Sequence, residues 1–314
     1  MAINTIQYAT LFQKALDKQM VAAATSGWME ANAGQVIYNG GNTIKIPKLS
    51  MDGLGNYDRS QGYTGGSVTF GYETKTLTQD RSRSFMIDSQ DVDETNFGLT
   101  AGTIMSEFQR TQVAPEIDAY RYSSLATQFI TAGQASFGFA PTTATADTVL
   151  GTLKGDLDAI RNNIGDADFV VNISRTVLSL LEMGTRGIGL EKVAFIIENG
   201  DTAIETQVSS IDGVPLLPVP SARLKTAYVF NDGATTGQTT GGFTPASTAK
   251  DVNWLIMPRT APIAISKQEA PKIIDPTINQ DADAWKIAYR KYHDIWVMDN
   301  KLVACYANLV QANS

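Results

Sequence analysis

Histidine and cysteine each occur once in these 314 residues, at His293 and Cys305. A single cysteine excludes an intrachain disulfide and fits a reducing compartment. One histidine and one cysteine cannot supply the ligand set of a zinc site. A Ser-His or Cys-His catalytic pair would have to be built on His293. Its setting, Lys291-Tyr292-His293-Asp294-Ile295-Trp296, alternates like a strand, so His293 reads as a structural or interface residue. Charge is sparse as well, at 18% of residues, with a formal balance of −7. The basic face of a sequence-specific nucleic-acid reader is not expected. No stretch approaches the length of a membrane span, and the N-terminus lacks the basic-then-apolar pattern of a signal peptide. The expectation is a chain made and folded in cytosol, away from membranes.

Phosphate-binding loops are missing too. Gly184, Gly187 and Gly189 stand in the wrong order for a dinucleotide loop, and no Walker-type loop occurs. Asp88, Asp91, Asp93 and Glu94 lack the glycine and terminal glutamate of a calcium loop and read as a solvated helix entrance. Asn172-Ile173-Ser174 is a formal glycosylation sequon, void in cytosol and expected to be buried. No catalytic residue, cofactor or metal is assigned, and the chain does not read as an enzyme.

What is present is order along the chain. Hydrophobic residues make up 43%, the level of a folded protein, and 314 residues allow two lobes or one elongated domain. The organising stretch is a helical pattern over 99–130. Leu99, Ile104, Phe108, Ile117, Leu125 and Phe129 form one side; Glu107, Gln109, Arg110, Glu116, Asp118 and Arg121 form a polar side. A continuous helix of about thirty residues would be a rod of roughly 45 Å. Pro115 predicts a kink or break, with Ala114 pushed out of helical geometry.

Upstream, Tyr8, Leu11, Phe12, Ala15, Leu16 and Met20 predict an amphipathic helix over 5–24, followed by loosely patterned residues to Gly41. That pattern suits a mobile or partner-docked arm, or a helix packed on its own domain. Thr43–Leu49 reads as a strand that Pro47 places at a sheet edge. The turn-rich segment with Gly53, Gly55, Gly62, Gly65 and Gly66 then leads into alternation from Ser67, which 81–88 extend. Two strands around such a tip make a long hairpin. Its alternating residues read as largely polar, and a hairpin alone is marginal in water, so it should lie on a neighbouring copy.

Downstream, 131–146 reads as a linker and Asp147 as the cap of a helix carrying Val149, Leu150, Leu153, Leu157 and Ile160. Residues 167–173 read as a buried strand, and Arg175–Met183 as a helix ended by Gly184. Strands are expected over 193–197, 206–211, 215–219, 227–231, 252–257 and 261–267, with an exposed, mobile loop over 233–248. Residues 282–298 and 301–306 read as two strands joined at Asp299-Asn300. The mixture over 147–258 is an α+β lobe with its own core.

Certain stretches carry a resemblance. They are Tyr72-Glu-Thr-Lys-Thr-Leu-Thr-Gln-Asp-Arg81, Asp91-Val-Asp-Glu-Thr-Asn-Phe97, Pro115-Glu-Ile-Asp-Ala-Tyr-Arg121, Ile211-Asp-Gly-Val-Pro215 with Val219-Pro-Ser-Ala-Arg223, and Asn279-Gln-Asp-Ala-Asp-Ala-Trp-Lys286 followed by Tyr289-Arg-Lys-Tyr-His-Asp294. In this order they resemble the major capsid proteins of tailed bacteriophages of Gram-positive hosts, which have the Hong Kong 97 capsid fold. The resemblance implies an N-terminal arm (1–41), an extended E-loop hairpin (42–88), a peripheral domain with a spine helix (89–146 and 269–314) and an α+β axial domain (147–268). It implies hexamers and pentamers of the chain closing into an icosahedral shell around double-stranded DNA. The shell would be a virion component assembled in the host's bacterial cytoplasm, held by many modest heterologous contacts.

The implied partners are a separate scaffolding protein, because only some forty residues precede the hairpin, together with a portal and a decoration protein. The DNA would be near but not gripped, which suits the negative charge. Candidate inter-subunit contacts are Lys45, Lys48, Tyr57, Arg59, Tyr72, Arg81, Arg83, Glu107, Arg110, Glu116, Arg121, Trp285, Arg290 and His293. Some relatives crosslink a hairpin lysine to a neighbour's asparagine. Lys45, Lys48 and Lys75 match none of that chemistry, so no crosslink is expected. The rival readings are an encapsulin-like cargo shell and a phage tail-tube or adaptor protein.

Overall fold

The computed structural model describes residues 24–35, 37–38, 43–88, 101–184, 190–199, 202–279 and 282–312. The expected helix over 5–24 therefore lies outside the described residues but for Ala24, as do Leu99, Asp91, Asp93, Glu94, Gly187 and Gly189.

Two apolar runs set the centre. β6 (Phe169–Ser174) and β12 (Val252–Pro258) are buried at every position, the signature of strands covered on both faces. With β5 (Ala135–Ser136), β7 (Glu191–Asn199), β8 (Thr202–Ile211), β9 (Val214–Val219) and β15 (Tyr306–Leu309) they form a mixed sheet in the order β5-β15-β12-β6-β9-β8-β7. Alternate side chains go to opposite faces. Phe169, Val171, Ile173, Leu216, Trp254 and Ile256 meet α3 (Ala146–Ile164) and α4 (Arg175–Gly184) through Val149, Leu153, Leu157, Ile160 and Leu181. Val170, Leu217, Val219, Leu255 and Met257 turn the other way, against α2 (Ala114–Thr131) and the 3-10 helix Gly27–Gln35, through Tyr122, Leu125, Phe129, Trp28 and Met29.

A second sheet stands on the far side of α2. β13 (Pro262–Ile274) pairs with β14 (Ala284–Val297), and β14 with β4 (Gln79–Asp88), all antiparallel. Ile287 and Tyr289 of β14 pack on α1 (Ala101–Phe108) and the start of α2. A third sheet holds β1 (Ile37–Tyr38), β2 (Thr43–Met51) and β3 (Val68–Thr76); the last two form the long hairpin, and Pro47 lies where, among the described residues, β2 has a partner on one side only. Ile44, Ile46 and Leu77 seat the base of this hairpin on Ile263, Ile265 and Trp296. β10 (Tyr228–Phe230) and β11 (Phe243–Pro245) form a short ribbon.

Several expectations are corrected. α1 and α2 are joined by a π-helical turn, Gln109–Val113, in which the Ala114 N–H reaches back to Gln109 O. The wider turn accommodates Pro115 without a break, and Ala114 keeps helical angles of −61° and −44°. The polar side of the helix is divided: Gln109, Asp118 and Arg121 are buried, while Glu107 and Arg110 face solvent. Residues 301–306 do not form the second arm of a hairpin. Asp299–Ala304 is a 3-10 helix, and β15 enters the seven-stranded sheet instead. The α3 cap is Thr145 rather than Asp147. The loop over 233–248 is exposed, as expected, and is also tied by internal hydrogen bonds. Asp232 accepts from the N–H groups of Ala234 and Thr235, the Asn231 N–H bonds Gly242 O, and Phe243 meets Tyr228 edge-on.

Gly184, the last residue of α4, permits a close approach that its place in the sequence does not reveal. A β-carbon there would lie 2.5 Å from Ala146 O, at the start of α3, whereas nothing stands within 4 Å of one at Gly155. Gly184→Ala is expected to cost about 1–3 kcal/mol, while Gly155→Ala, on the open side of α3, should be neutral or stabilising by up to about 1 kcal/mol. Urea unfolding of the two variants checks this.

Candidate assembly surfaces

Inside the body, α2 carries charge inward. Asp118 Oδ1 accepts from Ser26 N at 3.0 Å and Ser26 Oγ at 2.6 Å. Its Oδ2 accepts from Thr25 N and Thr25 Oγ1, both at 3.0 Å, and from Arg223 Nη1 at 3.1 Å. One turn on, Arg121 donates to Ser26 O at 3.2 Å and pairs with Glu30, whose carboxylate also lies 3.7 Å from Lys291 Nζ. Burial pushes Glu30 upward, but Arg121 and Lys291 outweigh it and hold the acid down at about 2. His293 shares this interior, edge-on to Tyr120 at 5.5 Å between ring centroids. Burial, reinforced by Lys291 and Arg121, keeps its pKa well below the ordinary value, so it is neutral. Its neighbour Asp294 accepts from Tyr120 Oη at 2.7 Å and from Thr78 N and Oγ1.

Arg121 and His293 are thus 1% and 4% exposed, buried within their own chain, which argues against both as contact candidates. Tyr122 hydrogen-bonds Asn172 in the same interior, so the sequon asparagine is buried.

The other candidates are at or near the surface. Lys45 and Arg59 are exposed, and Trp285 is half-buried on β14. Lys48 bonds Asp299 at 2.7 Å, Arg81 bonds Glu116 at 2.7 Å, and Arg290 bonds Asp80 at 2.8 Å. Glu107 and Arg110 pair at 2.7 Å on the helix surface. Arg83 reaches Thr239 O in the folded loop. Tyr57 stands edge-on to Tyr63 at the hairpin tip, 5.3 Å between centroids.

Tyr72 belongs to a larger feature. Residues opposite each other in an antiparallel pair share a face. The register places Pro47 opposite Tyr72, Leu49 opposite Phe70 and Met51 opposite Val68. This makes one apolar face, and it is open: Leu49 is 53% exposed, Met51 65%, Phe70 60% and Val68 68%. The reverse face carries Lys48, Ser50, Thr69, Gly71, Glu73 and Lys75. The expectation of a largely polar hairpin is corrected accordingly. Leu49, Met51, Val68 and Phe70 were not among the candidates. Their signal is a parity change in β2: the apolar residues stand at even numbers in Ile44 and Ile46, then at odd numbers in Leu49 and Met51, with Pro47 between. The base faces its own core and the tip faces outward.

The chain matches no protein-family model and no curated protein sequence. Solved structures share its architecture. The capsid structure of the cyanophage P-SCSP1u is 13% identical, with 87% of this chain and 84% of that chain covered at a TM-score of 0.58. The mature capsid of bacteriophage PhiM1 is 11% identical, with 87% and 83% covered at 0.57. A virus-like particle from Pyrococcus furiosus is 9% identical, with 96% and 99% covered at 0.52. The fold is that of phage capsid structures.

Removing one partner of a buried charge network leaves the others unpaired, so Asp118→Ala should cost about 3–5 kcal/mol in chemical unfolding. For His293 the folded pKa lies below the unfolded value of about 6.5. Only the unfolded chain therefore takes up the proton as pH falls through that value, and stability should fall by up to about 1.4 kcal/mol per unit below it. Glu30 acts in a separate window, its contribution being lost between about 4.5 and 2. Thermal unfolding from pH 7 to 5 should show the His293 slope in the wild type and lose it in His293→Gln.

Proposed function

We propose that this chain is the major capsid protein of a tailed bacteriophage, a structural protein whose copies close into an icosahedral shell around double-stranded DNA. The observation that carries this reading is the open apolar face of the hairpin, on a fold shared with capsid structures. Large exposed apolar patches mark surfaces that another molecule covers. A shell supplies one to every copy at once, through repeated heterologous contacts.

In Hong Kong 97 terms, 42–88 is the E-loop lapping a neighbour and 1–41 the arm. Residues 89–146 with 269–314 are the peripheral domain with its spine, apart from β5 and β15, which join the large sheet of 147–268, the axial domain meeting its copies at fivefold and sixfold centres. A separate scaffolding protein, a portal and a decoration protein are the proposed partners, with assembly in the bacterial cytoplasm. The charge of −7 suits a wall that encloses DNA without binding its phosphates tightly. A second reading, a closed compartment for protein cargo, draws on the likeness to the virus-like particle across 96% of the chain. Nucleic acid or protein in purified particles separates the two.

Negative-stain microscopy of the chain alone and with neighbouring phage proteins tests the proposal. Closed uniform shells are expected; rings or tubes would move the reading to a tail component, and a monomer under every condition would overturn it. Leu49→Lys with Phe70→Glu, which sets opposite charges across the ladder, should cost the monomer no more than about 1 kcal/mol, since both side chains are exposed, and should abolish shells.

A further inference from the structure

The two edges of the hairpin differ. Asp52 N donates to Ser67 O at 3.2 Å. In an antiparallel ladder the bonded pairs recur every second residue. From Asp52/Ser67 they run through Ser50/Thr69, Lys48/Gly71 and Ile46/Glu73, in the observed register. The intervening residues turn their backbone groups outward. On β2, those are Met51, Leu49, Pro47 and Lys45. The outer edge there is covered at its base by β1, which pairs Ile37 with Lys45, and is interrupted beyond it by Pro47, which has no N–H. On β3 the outward N–H groups belong to Val68, Phe70, Tyr72, Thr74 and Thr76. No proline interrupts them, and among the described residues no strand lies beside them. Proteins commonly blunt such an edge with proline, charge or a covering segment. Here Val68 to Tyr72 carries no charge and shares its apolar side with Leu49 and Met51.

We propose that β3 is a docking edge to which an extended segment of a second copy of this chain adds as a further strand. The inference rests on the assembly reading and deepens it: the hairpin contact is a shared sheet as well as an apolar face. Three observations favour a second copy. A two-stranded ribbon is marginal by itself, and β1 supplies a third strand only at the base. The uncharged stretch of the edge offers no pairing for a polyanion. It is also continuous with the apolar face already assigned to a neighbour, and in an assembly each copy brings its neighbour at high effective concentration.

Residue-resolved hydrogen exchange on wild-type shells and on subunits dissociated from them tests this directly. Thr69, Gly71 and Glu73 amides, which point to β2, should be protected in both forms. Phe70, Tyr72 and Thr74 amides should exchange freely in subunits and slow by more than about tenfold in shells. Protection by side-chain cover alone would lack this two-residue alternation. In parallel, Thr74→Pro should give shells that dissociate at lower denaturant than those of Thr74→Ala. Phe70, Tyr72 and Thr74 exchanging equally fast in both forms would overturn strand addition and leave the assembly reading standing. Slowing that appears only when a different protein is added would overturn the second copy as occupant. If the wild type never forms shells, the assembly reading falls first and this inference with it.

Discussion

Asp118 and Arg121 stand on the face of α2 that is turned into the protein, and the rest of the body is arranged around satisfying them. Taking a carboxylate and a guanidinium out of water costs several kcal/mol each unless their bonds are remade inside. Here they are remade by a segment ninety residues away in sequence. Thr25 and Ser26 bond Asp118 through backbone and side chain, and Glu30 meets Arg121. Arg223 approaches from beyond β9, and Lys291 from β14. Three separate parts of the chain thus converge on one helix. The arrangement fixes which face of α2 meets the large sheet and which meets β14, because no other rotation of the helix leaves both charges paired.

The same network explains why residues 25–30 belong to the body. Trp28 and Met29 follow the bonded residues directly into the apolar core, and Asn32 bonds the carbonyls of Arg259 and Pro262 at 2.8 Å. Loosely patterned sequence therefore need not mean a loose segment. Its order comes from partners far along the chain.

That difference runs through what could be read from sequence. The strands Phe169–Ser174 and Val252–Pro258 are legible because burial on both faces leaves an unbroken apolar run. The helix over α3 is legible because Val149, Leu153, Leu157 and Ile160 return at its period. The spine is legible as a helix, but the burial of Asp118 and Arg121 on its polar side is not, since periodicity cannot distinguish a charge facing water from one facing Ser26 and Glu30. The 3-10 helix at Asp299–Ala304 escapes because Lys301 to Tyr306 is too short for any period to settle, and its neighbour β15 is claimed by a distant sheet. The loop after Asn231 looks open by composition, yet Asp232 and Arg83 fold it by hydrogen bonds that a glycine-rich sequence does not announce.

The hairpin inverts the logic of the body. Every charge on the inner face of α2 has its partner within the chain, whereas the apolar face of β2 and β3 has none among the described residues. Both states come from the same alternation rule. At the base, even-numbered Ile44 and Ile46 enter a core the chain itself provides. Past Pro47 the apolar parity changes, so the ribbon can extend with its apolar side turned away from that core without a break in pairing. A monomer that keeps such a face open depends on a covering surface from outside for its final burial. Pro47 on one edge and Lys48 and Lys75 on the reverse face limit where that surface can come from. The outward aim of the hairpin's apolar side comes from the short switch from Ile46 through Pro47 to Leu49.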